Sequence, residues 1–345
     1  MKGRRSIALA FVALLAASLA FTAGFARGGS ATPRATVTAS LVSDVGRFND
    51  KSFNQSQLEG LKRAKAQLGV NILPLQSNSV SDYLPNLTTG IRRHADIVIA
   101  AGFLLANATA TVAKKFPNTH FAITDYTIHA PPFADAKGNP LFKNVEGITY
   151  AANESGCLVG VLAALMAKKD GGNTIGAVGG IKIPPVDIWI AGYRFCAKKA
   201  VPGTKVLVGY SQDFIAIDKC KTVAQNLINR GAKVLFQVAG LCGQGTLKAA
   251  DEAGIWGIGV DKDQYNDAKR VLTSGVKRVD VGVFNVIKQV KDGKFVGGSD
   301  VLFNLKNSGM SVGRINPSVP QAFVATMNKY KARIIAGALK VPSGL

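Results

Sequence analysis

Ten short apolar runs recur along this chain, most of them separated by helical segments, and that rhythm restricts the fold more than any other feature. The runs are Thr36–Val42, Val70–Leu75, Asp96–Ala100, His120–Thr124, Val145–Tyr150, Thr174–Val178, Lys205–Tyr210, Lys233–Val238, Ile255–Val260 and Val271–Ser274. Helical patterns such as Leu158–Lys168 and Lys219–Arg230 lie between them. Such alternation predicts an α/β fold with parallel sheets covered by helices on both faces. Glycines at many run ends suit tight turns from strand into helix.

The first residues read as an export signal. Lys2, Arg4 and Arg5 precede an almost uncharged run from Ile7 to Phe25, with small residues around Ala23–Ala26. Cleavage after Ala26 makes 1–26 a signal peptide; a site near Ala31 is the other option. The run also has the about 20 residues a bilayer span needs, so a retained anchor is the alternative. No cysteine near its end offers a lipid attachment point. The expected location is secreted, periplasmic or cell-surface associated.

About 310 residues then remain, enough for two domains by length. No low-complexity linker divides them; the nearest boundary is the loop Ala130–Lys143. Two lobes can still form if the chain crosses between them, and crossings are expected near Thr149–Asn153, Val260–Gln264 and Leu305–Val312. Residues 36–149 and 265–305 would form lobe 1, and 150–262 and 310–345 lobe 2. A ligand would bind between the lobes, where strand ends from both sheets converge.

Cys157, Cys196, Cys220 and Cys242 contain no C-x-x-C pair, and the three histidines have no ligand spacing, which argues against zinc. Neither metal nor cofactor is expected. Outside the cell an even count favours disulfides. Cys157 and Cys196 fall on two predicted helices flanking one strand; Cys220 opens a helix and Cys242 ends the loop after the next strand. The pairings 157–196 and 220–242 are favoured, with four buried thiols as the alternative.

The formal charge is +21, and without Lys2, Arg4, Arg5 and Arg27 it is +17. The cations are spread along helices (Lys62, Arg63 and Lys65; Lys168 and Lys169; Lys198 and Lys199) without any nucleic-acid signature. They read as a solvated surface with a bias towards anionic envelope material, not as a nucleic-acid site.

Polar clusters stand at the ends of the strand runs. Asp44–Gln55 carries Asp44, Asn49, Asp50 and Phe53, and Ser52 with Gln55 fits a capping box opening a helix. Asp125 follows the fourth run, and Trp189 lies past Pro184-Pro185. Gly240 sits in a glycine-rich turn that lacks a phosphate-loop pattern. Asp261 ends the ninth run, and Lys277 precedes another helix. Acids, amides and aromatics together suit a small neutral ligand with a flat ring and hydroxyls. The competing readings are a solvated turn for the loop, core packing for Trp189 and a solvated helix start for Lys277.

The chain resembles the basic membrane protein family of ABC-transporter substrate-binding proteins, which includes purine nucleoside receptors. The resemblance rests on Gly46-x-x-Asn-Asp-Lys-Ser-Phe-Asn54, Glu154-Ser-Gly-Cys-Leu-Val-Gly160, Ala191-Gly-Tyr-Arg194, Val234-Leu-Phe-Gln-Val-Ala-Gly240, Gly257-Ile-Gly-Val-Asp261 and Leu272-Thr-Ser-Gly-Val-Lys-Arg-Val-Asp280. It implies a type I periplasmic-binding fold, two Rossmann-like lobes closing on a nucleoside. Asp44 and Asp125 would bond the base edge, Phe53 and Trp189 would sandwich the ring, and Gly240, Asp261 and Lys277 would hold the ribose. It also implies an ABC permease as partner and a monomer. Trp189 stands where the nucleoside receptors generally have Phe, and Asp44 where some have Asn. No G-x-S-x-G, H-E-x-x-H or histidine-paired nucleophile occurs, so an enzyme is not expected. The alternatives are the same fold binding a sugar or signalling molecule, and a membrane-anchored sensor.

Overall fold

The computed structural model describes residues 36–345; the expected signal peptide lies outside them. The chain starts with β1 (Thr38–Val42), α1 (Phe53–Leu68), β2 (Asn71–Leu75), α2 (Tyr83–Arg92), β3 (Ile97–Ala100), α3 (Ala106–Lys115), β4 (His120–Thr124) and β5 (Val145–Tyr150). It continues through α4 (Ala152–Lys169), β6 (Thr174–Gly179), α5 (Pro184–Ala200), β7 (Lys205–Tyr210), α6 (Ile217–Asn229) and β8 (Val234–Val238). Then come α7 (Gly243–Glu252), β9 (Trp256–Asp261), β10 (Val271–Lys277), α8 (Val279–Lys291), β11 (Ser299–Phe303), β12 (Met310–Val312) and α9 (Gln321–Ile335).

These strands make two sheets with matching orders, β2-β1-β3-β4-β5-β11 and β7-β6-β8-β9-β10-β12. Every pairing is parallel except β10 with β12. Strands β3, β6, β8 and β9 are buried along their whole length, as expected of sheets with helices on both faces. Proline 74 falls in β2, an edge strand, where its missing N–H costs no central ladder bond. In each sheet the order reverses beside the first strand, between β1 and β3 and between β6 and β8. Crevices open at the carboxyl ends of strands at such points.

Helix α4 is buried almost all round because it lies between sheet two and the helices α5 and α9. Its Gly156 and Gly160 press directly on the α5 backbone. A Cβ on Gly156 would come 2.3 Å from the Trp189 carbonyl oxygen, and one on Gly160 equally close to that of Tyr193. Disulfide Cys157–Cys196 staples the same crossing, and Cys220–Cys242 ties α6 to the turn before α7. No cysteine is free.

Three expectations need correction. The second crossing occurs at 277–279, not at 260–264, and 265–277 belongs with the second sheet instead of lobe 1, because β10 extends that sheet in parallel beside β9. Strands β11 and β12 were not foreseen; both are short sheet-edge strands whose partly exposed residues interrupt the apolar pattern. The capping box at Ser52 does not form. Asp50 does that work instead, accepting the N–H groups of Ser52, Asn54 and Gln55 at 2.9, 2.8 and 3.0 Å. The Ser52 hydroxyl is committed elsewhere, as described below.

Candidate functional site

The carboxyl ends of the two sheets face one another around about 550 Å³ of space free of protein atoms, its mouth included. From the first sheet come Asp44 after β1, Phe53 at the start of α1, Gly102 and Phe103 after β3, and Asp125 after β4. From the second come Pro185 and Trp189 of α5, Gly240 after β8, Asp261 at the end of β9 and Lys277 at the end of β10. Eight of the nine residues singled out in the sequence thus border one cavity. The ninth, Asn49, is exposed and does not line it. The loop turns so that Asp50 and Asn54 face inward instead.

The floor is a cationic centre between acids. Lys277 is 3 % exposed, with Nζ 2.6 Å from Asp125 Oδ2 and 3.5 Å from Asp261 Oδ1. Burial pulls the Lys277 ammonium down, but these two carboxylates outweigh it and hold the pKa above the usual lysine range. Burial pushes the Asp125 carboxyl up, against the pull of Lys277. Asp125 and Asp261 both adopt left-handed backbone, φ 57° and 64°. For a residue with a Cβ this costs about 1–3 kcal/mol and persists where the surroundings enforce it. Asp261 Oδ1 has no hydrogen-bond partner within the protein, leaving an acceptor for a ligand hydroxyl.

A second acidic pair lies at the end of β1. Asn54 Nδ2 donates to Asp44 Oδ1 at 2.7 Å and to Asp50 Oδ2 at 3.0 Å, and the Gly46 N–H also serves Asp44. Burial outweighs these bonds and raises the Asp44 pKa to about 7 and that of Asp50 to about 6. Asp44 therefore exchanges its proton near neutrality and can accept from an N–H or donate to a ring nitrogen.

Three rings flank the cationic centre: Lys277 Nζ is 4.6 Å from the Phe53 ring centroid, 5.6 Å from that of Tyr150 and 5.9 Å from the Trp189 ring. Gly102 lets Phe53 approach, since a Cβ there would meet the ring at 3.0 Å. Trp189 is buried in a T-shaped contact with Phe236 of β8, so it packs the core and borders the cavity at once. The turn holding Gly240 is propped from behind: Gln237 accepts the Ala239 N–H at 3.0 Å and donates to Gln264 at 2.7 Å.

Contacts across the cleft hold the lobes together. Ser52 Oγ donates to Asp261 Oδ2 at 2.6 Å, Gln264 Nε2 donates to the Lys51 carbonyl at 3.0 Å, and Lys262 pairs with Glu59 at 2.5 Å. Sequence reasoning missed Phe103 and Phe214, both of which line the cavity. Phe103 carried a faint signal, an aromatic after Gly102 at a strand end; Phe214 sits in an irregular loop and carried none. No cluster of three metal-ligating side chains occurs among the described residues, and no helix there is long and apolar enough to cross a membrane.

This architecture is that of a two-lobed solute-binding protein. Residues 37–344 match the family described as ABC transporter substrate-binding protein, PnrA-like, and the chain belongs to that family. It is 34 % identical over 360 residues to the ABC transporter nucleoside-binding protein BmpA of Lactococcus lactis, covering 98 % of this chain and 97 % of that one. A CD4+ T-cell-stimulating antigen of Listeria monocytogenes is 33 % identical over 329 residues, 88 % of each chain. Among solved structures, an ABC transporter solute-binding protein of Aeropyrum pernix superposes with a TM-score of 0.79 at 24 % identity, covering 89 % of this chain and 93 % of that one. One from Conexibacter woesei gives 0.67 at 24 % identity, with 89 % and 99 % covered. The fold is the type I periplasmic-binding fold.

Proposed function

We propose that this protein captures a purine nucleoside outside the cell and delivers it to an ABC permease. The observation that carries this reading is the convergence of two aromatic rings, Phe53 and Trp189, with Asp125, Asp261 and Lys277 on one cavity between two lobes. The name of the Lactococcus lactis relative points the same way. Base stacking on aromatic side chains contributes about 1–3 kcal/mol per base. Carboxylates bind vicinal hydroxyls through charge-assisted hydrogen bonds.

In this reading Asp44 and Asp125 take the polar edge of the base and the two rings take its faces. Gly240, Asp261 and Lys277 take the ribose. Four carboxyl groups (Asp44, Asp50, Asp125 and Asp261) face a single ammonium, so the cavity suits a neutral nucleoside and disfavours a phosphorylated one. The contacts from Ser52 and Gln264 across the cleft belong to a closed form, which the permease would recognise. The protein acts as a monomer, without cofactor or catalysis, after export and removal of residues 1–26.

Titration calorimetry of refolded, ligand-free protein against inosine, guanosine, adenosine, uridine and ribose tests this. Micromolar or tighter binding of a purine nucleoside, with ribose silent, is expected. Silence across the panel would refute the nucleoside assignment. Edman sequencing of the exported protein tests the processing, with a new N-terminus close to Arg27 expected.

A further inference from the structure

A larger cavity adjoins the ligand cavity and shares three of its wall residues, Phe103, Asp125 and Pro185. It spans about 1060 Å³ of atom-free space, its mouth included. Its own walls come from Tyr126, Thr127, Ala130, Thr149, Tyr150, Pro184, Ile188 and Ser343.

Three of the polar wall groups are engaged elsewhere. The Tyr126 hydroxyl donates to the Pro131 carbonyl, Thr127 Oγ1 donates to Asp300 Oδ2, and Thr149 Oγ1 donates to the Val301 carbonyl. The Tyr150 hydroxyl has no hydrogen-bond partner and is packed against Gly282 of α8, where an added Cβ would meet it at 2.3 Å. Away from Asp125 and Ser343, what faces the cavity is therefore mostly ring surface, methyl groups and proline. Phe103 and Tyr126 pack as tilted rings with centroids 5.0 Å apart, and both are only partly covered, as is Ile188. Partly exposed apolar side chains gathered at a concave surface next to a polar site mark a place that an apolar group fills.

We propose that this cavity receives an apolar substituent carried by the base of the ligand, so that the protein accepts nucleosides extended at the base edge, such as N6-alkylated or N6-benzylated adenosines. The inference rests on the nucleoside reading above, in which Asp125 faces the base edge; Asp125 is also the acid shared by the two cavities. An N6-monosubstituted adenine keeps one N–H for a carboxylate, while its substituent passes beyond Asp125 into the space between Tyr126 and Ile188. A neutral apolar group needs no polar partner there.

The test compares adenosine with N6-benzyladenosine by titration calorimetry, on the mature protein and on Ile188→Trp and Ala130→Phe. Both substitutions fill the second cavity from residues that do not line the first. The unaltered protein should bind N6-benzyladenosine at least about tenfold more tightly than adenosine, the gain expected from burying a phenyl ring. Either substitution should abolish that advantage and leave adenosine affinity within about twofold of its starting value, which also shows that the variant is folded. Adenosine binding with N6-benzyladenosine excluded would overturn the second cavity's role and leave the nucleoside reading standing. So would an advantage that survives both substitutions. Failure of both adenosines to bind would overturn this inference, and silence towards inosine and guanosine as well would overturn the nucleoside reading with it.

Discussion

Lys277 Nζ and Asp125 Oδ2 lie 2.6 Å apart although the two residues belong to different sheets. The pair lines the cavity between the lobes, and with Asp261 it forms a buried acid–base–acid row joining them. Its two acids end equivalent strands: β4 and β9 stand fourth in their sheets, each followed or ended by an aspartate in left-handed backbone.

Replacing Lys277 by Met should destabilise the protein and nearly abolish binding. Removing one partner of a buried ion pair costs about 3–5 kcal/mol because the other charge is left uncompensated. Here two carboxylates would remain, 10 % exposed or less at their side chains. A fall in melting temperature of several degrees and a loss of affinity beyond about a hundredfold are expected. Unchanged affinity by calorimetry would remove Lys277 from the ligand site.

The Asp44 carboxyl titrates near 7 in the folded protein against an ordinary value of 3.8, because it is buried. Between those values the folded state keeps a proton that the unfolded chain releases. Its stability contribution is therefore greatest at low pH, falls as pH rises from about 4 to 7, and is level above that. Asp44→Asn cannot ionise, so its melting temperature relative to wild type should be higher at pH 8 than at pH 4.5. The ceiling on this relative gain is about 4 kcal/mol, at about 1.4 kcal/mol per pKa unit.

Ligand binding should show the matching trend. If the Asp44 carboxylate accepts an N–H from the base, affinity for inosine should rise about tenfold between pH 6 and pH 8 as the group ionises. Asp44→Asn should flatten that dependence. A wild-type affinity independent of pH over this range would place Asp44 away from the base.

Gly156→Ala should weaken binding from outside the cavity. The new methyl would stand 2.3 Å from the Trp189 carbonyl oxygen, and backbone cannot yield there as a side-chain tip could. Overpacking of this kind costs about 1–3 kcal/mol. It would also shift Trp189, seen as a change in tryptophan emission and a higher dissociation constant. A change in stability with normal affinity would mean that the crossing of α4 and α5 does not position the ring.

Asn49 and Asn54 make a matched pair of controls. Asn49→Ala should leave affinity within about twofold, since the side chain is exposed and off the cavity. Asn54→Ala removes the donor shared by Asp44 and Asp50. Unmet buried acceptors cost about 1–3 kcal/mol, so affinity should drop at least about tenfold. The reverse order in a binding assay would show that the loop is turned the other way when ligand is present.

Much of the architecture was legible along the chain because its signals are local. His120–Thr124, Val145–Tyr150 and Lys205–Tyr210 are strands with the bounds read from their apolar runs. Strand β11 escaped because an edge strand with a half-exposed surface needs no unbroken apolar run. The acids at strand ends were visible as site candidates for a related reason: in a parallel sheet every strand end of one lobe reaches the same crevice, so strand-end position stands in for distance.

Ser52 shows where that reasoning stops. Its spacing from Gln55 fits a capping box, yet its hydroxyl bonds to Asp261, 209 positions away, and Asp50 caps the helix. A local pattern offers a hydroxyl two possible partners, and the one provided by another lobe is not written nearby. The same holds for Asn49 against Asp50 and Asn54: the loop composition announces a polar site, and the turn decides which side chains face it.

The amino-acid order alone determined the α/β class, the strand-end acids and the family, since periodicity, turn residues and short motifs are carried by neighbours in the chain. Tertiary structure decided that β10 joins the second sheet and that Lys277 is buried between two acids instead of solvated. It also placed the ring of Trp189 both in the core and at the cavity. Those outcomes depend on which surfaces meet across the cleft, and contacts between residues more than a hundred positions apart are fixed only when the two lobes pack.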